Sequence, residues 1–211
     1  MDKGLTLDRV AIFKDGTPLV ALDRHIAPGE VVSVMGPSGI GKSTLLSVVT
    51  GTLPPAFTFT GRVLLDGRDI TRAAPHRRMV GILFQDDLLF PHLSVGANLA
   101  FGLRPGGNSA DRRKRIAQAL EEVDLAGFAD RDPATLSGGQ KARVALMRML
   151  LAEPCALLLD EAFSRLDTAL RAQIRDLVFA RARDRALPVL MVTHDAEDAA
   201  AAKGAIVNLG D

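Results

Sequence analysis

Gly36-Pro37-Ser38-Gly39-Ile40-Gly41-Lys42-Ser43-Thr44 decides how the rest of this chain is read. Gly36 to Ser43 satisfies the pattern G-x-x-x-x-G-K-[ST]. The apolar run 31–35 precedes it and Leu45-Leu46-Ser47-Val48-Val49 follows, so it reads as a loop between a strand and a helix that opens at Thr44. Glycines at this spacing let backbone N–H groups curl around phosphate oxygens. Lys42 reaches the outer phosphates, and the Ser43 hydroxyl is an oxygen ligand for Mg²⁺. The helix N-terminus adds a favourable dipole. Such a match arises by chance in roughly one chain in a hundred of this length, so its context carries the weight.

That context is a set of short apolar runs, at 31–35, 80–84, 156–160 and 189–193. Each is too short and too apolar for a surface helix, and each reads as a strand buried on both faces of a parallel sheet. Each leads into a polar candidate: the Gly36 loop, Gln85, Asp160-Glu161 and His194. Ligands bind at the carboxyl ends of strands in open α/β sheets, so parallel pairing predicts that the four meet at one edge. Asp160, ending its strand, is placed to bind Mg²⁺ directly or through water. Glu161, beside it, is placed to polarise an attacking water. Taken alone, an acidic pair after a strand is more often a helix N-cap. Gln85 is placed to contact Mg²⁺ or water and to sense a terminal phosphate, although on its own it is only a polar strand end. His194 is placed to donate a hydrogen bond to that phosphate; in isolation it reads as a satisfied structural histidine. His25, His76 and His92 show no metal spacing.

Leu136-Ser137-Gly138-Gly139-Gln140 precedes a helix read over 141–151. Ser137, Gly138, Gly139 and Gln140 at a helix start make an anion-binding end. Because the Gly36 loop already cradles phosphates, a second such end is best explained as serving a nucleotide held by another copy of the chain. A plain N-cap with a flexible approach is the physical alternative.

Before the Gly36 loop, 5–13 and 17–26 alternate as strands around the Asp15-Gly16 turn, and Gly61 to Gly67 reads as a further strand of that layer. From about 87 to 135 the character changes. Asp87 to Leu103 is apolar and loop-like, Pro105-Gly106-Gly107-Asn108 breaks the chain, and 110–125 has helical spacing at Ile116, Leu120 and Val123. This predicts an inserted helical lobe, with the helix at 137–152 beside it. The run Arg112 to Arg115 reads as a solvated helix face.

A chain of 211 residues supports one domain, 1–211, with a sizeable core. Its 26 basic and 25 acidic residues leave a net charge of +1, which argues against nucleic acid as a partner and against bulk attraction to anionic lipid. Tyr and Trp are absent, so a base-stacking platform would have only Phe and His. The single Cys155 rules out an internal disulfide and reads as a small buried apolar residue. No stretch of about 18 apolar residues exists, and Met1-Asp2-Lys3-Gly4 lacks the apolar core of a secretory signal. These features predict a cytosolic chain held at any membrane by something else.

The ordered set of motifs resembles the ATP-binding subunit of ATP-binding cassette (ABC) transporters, over nearly the whole length. Leu136 to Gln140 matches that family's signature motif without change. The resemblance implies an α/β fold of the P-loop NTPase ABC ATPase kind: a mostly parallel core sheet, an N-terminal antiparallel β layer and an inserted helical lobe. It assigns ATP binding to Gly36–Thr44, the Q-loop to Gln85, the Mg²⁺ site to Asp160 with Ser43 and Gln85, the catalytic base to Glu161 and the switch histidine to His194. Ser164-Arg165-Leu166-Asp167 falls at the D-loop, and Phe13 at the spacing where the family stacks an aromatic ring on adenine. The implied assembly is a head-to-tail homodimer with two ATP molecules at its seam, each between one P-loop and the other subunit's signature. That dimer would dock through the helical lobe on polytopic membrane permease subunits, at the cytoplasmic face of the inner membrane as a peripheral protein.

Phe84 to Val95 resembles bacterial importers of small polar solutes and ions, among which thiamine-like, polyamine, iron and oxyanion cargoes occur. An external solute-binding protein is then expected in the same system, and cargo choice belongs to these partners. The alternative is the ATPase of an exporter or lipid-release complex, which shares the same engine. A soluble ABC protein acting on DNA or ribosomes usually carries a coiled-coil insertion or two linked cassettes, neither of which is present. A non-hydrolysing module is opposed by intact Lys42, Asp160, Glu161 and His194. Ala162 replaces the family's usual Pro, and Arg165 its frequent Ala. The sequence ends at Asp211, which predicts no regulatory C-terminal domain.

Overall fold

A computed structural model describes residues 3–210; Met1, Asp2 and Asp211, and with them part of the N-terminal segment read above, lie outside the described residues. The strands are β1 (Leu5–Lys14), β2 (Thr17–Ile26), β3 (Val31–Met35), β4 (Phe57–Leu65), β5 (Arg68–Asp69), β6 (Val80–Phe84), β7 (Ala156–Asp160), β8 (Val189–Thr193) and β9 (Ala205–Asn208). The helices are α1 (Lys42–Thr50), α2 (Val95–Gly102), α3 (Ser109–Glu121), α4 (Gly138–Leu151), α5 (Thr168–Asp184) and α6 (Ala196–Ala201). None of the described helices is long and apolar enough to cross a membrane.

Two sheets form. One has the order β2-β1-β4-β5 with antiparallel pairs; the other has the order β6-β7-β8-β3-β9, in which β3 pairs in parallel with β8 and β9, and β7 with β8. The second sheet explains its own sequence. Val31 to Val34 are buried on both faces, as are Ala156 to Leu159 and all of β8, so alternation disappears and continuous apolar runs replace it. In β1 the apolar parity changes after Leu7, because Asp8 and Arg9 are both polar. The structure answers with a bulge between Leu7 and Val10 and with Arg9 in the left-handed region, which returns Val10 and Ile12 to the core.

The chain divides into two compact units. The first comprises the chain up to Ile82, Cys155–Glu161 and everything from Phe179 onward. One core there joins Leu5 and Ile12 of β1, Val32 and Val34 of β3, Leu45 and Val49 of α1, Leu158 of β7 and Val192 of β8. Each such side chain, fully buried, contributes about 1.5–3 kcal/mol. The second unit comprises Leu83–Pro154 and Ala162–Val178, where α2, α3 and α4 pack against one another. Buried Asn98 orders the approach to α2. Its Oδ1 accepts from the Phe90 N–H at 2.8 Å, and its Nδ2 donates to the carbonyls of Phe90, Leu93 and Ser94, each at 3.1 Å. Arg148 of α4 donates to the Leu88 and Asp87 carbonyls.

Several expectations are corrected. The stretch from Asp87 to Leu103 is not all loop, since it contains α2. This helix is apolar apart from buried Asn98 and so lacks an amphipathic period; its legible sign was the N-cap Ser94, which accepts from Ala97 N–H. The strand read from Gly61 to Gly67 begins instead at Phe57, and Asp66-Gly67 are its turn into β5. The helix after the phosphate loop begins at Lys42 rather than Thr44, and the helix read over 141–151 begins at Gly138. The helix read over 110–125 ends at Glu121, with Val123 and Leu125 buried in the turn beyond it. Of the basic run, Arg113 and Lys114 are exposed. Arg112 instead donates to backbone carbonyls of Ala100 and Arg104, and Arg115 pairs with Glu153. Cys155 is half-buried against the core rather than enclosed in it.

Candidate active site

The register of the parallel sheet sets the site. Met35 lies opposite Thr193, and Asp160 opposite Val192. The carboxyl ends of β3, β7 and β8 are therefore nearly level, and the residues that follow them emerge at one edge of the first unit: Gly36, Glu161 and His194.

From β3 the chain enters the Gly36–Ser43 loop. Gly39 and Gly41 have φ of 85° and 104°, in the left-handed region that glycine enters without strain. A Cβ at Gly41 would lie 2.7 Å from Val20 Cγ2 and 2.9 Å from Leu19 Cδ2, whereas one at Gly39 would meet nothing within 4 Å. The loop is thus pressed onto β2 at one glycine and open at the other. Lys42 is buried, and its ammonium donates to the carbonyls of Gly36 at 2.7 Å and Pro37 at 3.0 Å. Gly41 is the N-cap of α1, so the first N–H groups of this nine-residue helix face the loop without intrahelical acceptors.

Ser43 Oγ donates to Asp160 Oδ1 at 2.9 Å, across 117 residues of sequence. Burial pushes the Asp160 carboxyl above the ordinary carboxylate range and the neighbouring Glu161 charge adds to that; the Ser43 hydrogen bond and the Lys42 cation oppose it. Glu161 adopts φ 48°, strained for a residue with a side chain, and its N–H donates to the Val192 carbonyl at 3.0 Å. No helix follows until Thr168, so the acidic pair does not cap one. Glu161 Oε2 lies 3.2 Å from His194 Nδ1, and the imidazole is half exposed rather than held in the core. Asp195, next to His194, accepts from Glu197 N–H as the N-cap of α6.

Lys42, Ser43, Asp160, Glu161 and His194 are therefore brought together within the first unit. Phe13 belongs to the same unit. It is half-buried at a register shift of β1 opposite Pro18, one residue before the Leu19-Val20 pair that supports Gly41. Gln85 directly follows β6, is exposed and belongs to the second unit, as do Ser137 to Gln140. There Ser137 Oγ accepts from Gln140 N–H at 3.3 Å and Gln140 Oε1 accepts from Ser137 N–H at 3.0 Å, a reciprocal capping box. Ser137 and Gly138 are exposed, while Gly139 is buried against Leu170. Arg165, where the family often has Ala, forms an ion pair with Asp86 in this unit. The sequence reading missed that pair, since nothing marks two residues 79 apart as neighbours.

The fold and this edge define a P-loop ATPase. The ABC transporter family pattern matches residues 19–164. An uncharacterised ABC transporter ATP-binding protein of Escherichia coli, YnjD, is 52% identical over 170 residues, covering 81% of this chain and 78% of that protein. The thiamine import ATP-binding protein ThiQ of Cereibacter sphaeroides is 47% identical over 196 residues, covering 92% of this chain and 83% of that protein. The solved structure of cbiO1 from Clostridium perfringens, part of the ABC transporter complex cbiONQ, superposes with a TM-score of 0.80 at 31% identity, over 92% of this chain and 80% of that one. The chain belongs to the ABC transporter family. Its ATP-binding proteins are ATPases, and this chain is one of them: a nucleotide-binding enzyme that serves transport.

Proposed function

We propose that this chain is the ATP-hydrolysing subunit of an importer of small polar solutes, working as a head-to-tail homodimer beneath polytopic membrane subunits. The observation that carries the reading is the level edge of the parallel sheet, where Lys42, Ser43, Asp160, Glu161 and His194 converge. The likeness to a thiamine import protein over 92% of the chain favours import over export or lipid release.

In this reading Gly36 to Thr44 hold the ATP phosphates through backbone N–H groups, and the Lys42 ammonium exchanges its two carbonyl partners for phosphate oxygens. Phe13 offers its ring to adenine. The Ser43 hydroxyl and the Asp160 carboxylate, hard oxygen donors 2.9 Å apart, fit Mg²⁺, which takes few protein oxygens and fills its shell with phosphates and water. Bound there, Mg²⁺ would neutralise charge on the phosphate oxygens. Gln85 keeps the sensing and metal-contact role that its place after β6 assigns. Glu161, held by its backbone and facing His194, takes the proton of the attacking water. The imidazole, half exposed, donates to the terminal phosphate. Ser137, Gly138, Gly139 and Gln140 serve the nucleotide of the partner subunit, because α4 opens on exposed Ser137 and Gly138 with the capping box satisfied locally.

The second unit also exposes Phe84, Leu88 and Phe101, and the Phe101 ring stands edge-on to Phe90 at 4.8 Å. Such an apolar group supports docking by a membrane subunit, which would hold the chain at the cytoplasmic face of the inner membrane as a peripheral protein. An external solute-binding protein completes the proposed system.

The test is purification of the tagged chain from detergent-solubilised host membranes, with mass spectrometry of its partners. A polytopic membrane protein together with a secreted solute-binding protein is expected. A membrane protein alone would refute import. The absence of any membrane partner, with ATPase activity intact, would refute the transport role.

A further inference from the structure

The first unit carries a second concentration of phosphate-seeking side chains, away from the motifs above in sequence. A cavity of about 1000 Å³ opens beside β4 and β5, lined by Arg62, Arg68, Arg72 and Arg77, with Asp69 and the ring of Phe59. Four guanidiniums face one carboxylate. Arg62 is bound to Asp8, its Nε donating at 3.0 Å. The guanidiniums of Arg68, Arg72 and Arg77 make no side-chain hydrogen bond or close ion pair among the described residues, Arg72 acts on Asp69 only through space, and the Asp69 carboxylate is engaged by the Thr71 N–H at 2.8 Å. Like charges gathered around a concavity repel one another, so the arrangement is favourable once an anion enters. Arginine is the side chain whose planar fork matches phosphate in a bidentate manner.

The walls are preformed. Arg78, only 4% exposed, does not face the cavity but braces it. Its Nη2 donates to the Thr71 carbonyl at 2.6 Å and its Nε to the Ala73 carbonyl at 2.8 Å. Its Nη1 donates to the carbonyls of Val48 at 2.8 Å and Val49 at 3.0 Å in the last turn of α1. On the other side Thr71 Oγ1 accepts from the Val63 N–H of β4 at 2.9 Å. The segment that carries Arg72 is thus fixed at both flanks, and a ligand has only side chains left to order. The volume suits a small organic molecule, and half-buried Phe59 supplies an apolar wall for a carbon skeleton.

We propose that this cavity is a second oxyanion site, separate from the Gly36–Ser43 loop, that takes a phosphate-bearing ligand. A soluble phosphorylated metabolite and a phospholipid headgroup offer the same chemistry, and the experiment separates them.

Inorganic pyrophosphate is titrated calorimetrically into the Lys42→Ala chain, in which the phosphate loop has lost its cation. Saturable one-to-one binding is expected. Adding Arg68→Glu and Arg72→Glu should weaken it by about tenfold or more, as loss of charge-assisted hydrogen bonds implies. The charge-matched pair Arg113→Glu and Lys114→Glu on α3 should leave it unchanged. Arg77→Gln, a milder change, should weaken it several-fold with an unaltered melting temperature, so the site stays testable if the double variant does not fold. Vesicles of phosphatidylglycerol that compete with pyrophosphate would assign the natural ligand to a headgroup, and vesicles that do not would assign it to a soluble phosphate. No saturable binding, or equal weakening by the α3 pair, overturns the proposal.

Discussion

Replacing Arg78 by methionine measures how far one buried cation holds the first unit together. Its guanidinium donates to four carbonyls, two in the last turn of α1 and two in the Thr71–Ala73 segment. Each such bond contributes about 1 kcal/mol net, and the carbonyls left behind have little access to water, so the gross loss is about 4 kcal/mol. Methionine fills much of the same space and removes the penalty of burying a charge, which returns about 1 kcal/mol. The net expectation is a loss of about 3 kcal/mol, or a fall in Tm of about 6–12 °C for a chain of this size. Differential scanning calorimetry without nucleotide reads it directly. Arg78→Lys keeps the charge but not the planar fork, and should lose about half as much. A loss below about 1 kcal/mol for Arg78→Met would refute the bracing role and, with it, the claim that the cavity wall is preformed.

Glu161→Gln should lower kcat by about 10²–10⁴-fold while ATP binding persists, because only the proton acceptor is lost. Light scattering at saturating ATP and Mg²⁺ should then find a dimer, and a monomer would count against the seam. Gly138 and Gly139 should part company: a Cβ at Gly139 would come within 2.4 Å of Leu170, while one at Gly138 meets nothing within 4 Å. Thermal melting should place Gly139→Ala about 1–3 kcal/mol below Gly138→Ala, yet Gly138→Ala should still lower hydrolysis if a partner's nucleotide approaches this helix end closely, because its methyl would stand in that open space. Asp160→Asn should raise Tm at neutral pH, because burial disfavours the ionised carboxylate. The raised carboxyl adds stability only when protonated, a contribution full below the ordinary value of 3.8 and lost as pH rises through the folded value. The advantage of the variant should therefore shrink as pH is lowered, and an advantage that grows in acid would reverse the assignment.

The parallel sheet was legible because burial on both faces forbids alternation in β3, β7 and β8, whose limits agree with the apolar runs. The run at 80–84 also forms a strand, β6, but it lies at the sheet edge with only Gly81 buried and Phe84 exposed, against the expectation of a buried strand. The phosphate loop, Asp160, Glu161 and His194 were legible for the same reason, since each terminates such a run. What escaped was structure without a distinctive period. α2 is apolar apart from Asn98, α5 is studded with Arg and Asp, and β9 is a short edge strand. Interactions between residues far apart in sequence escaped as well. No pattern marks Arg78 as a brace among Arg72, Arg77 and their neighbours. The tethering of the Lys42 ammonium to the carbonyls of its own loop is equally silent in the one-letter string.

That tether bears on which ligands the loop tolerates. A lysine side chain carries about 2 kcal/mol of rotamer entropy, and here folding has already removed much of it, because two peptide carbonyls keep the ammonium in place. A newcomer must evict those acceptors, and only an oxygen with more negative charge than a neutral amide does so with profit. Nucleosides and monophosphates, which bring no such oxygen to that point, leave the ammonium where it is. The loop is thus expected to discriminate by the length of the phosphate chain: a tail that reaches the ammonium displaces the two carbonyls, and a shorter one leaves them in place.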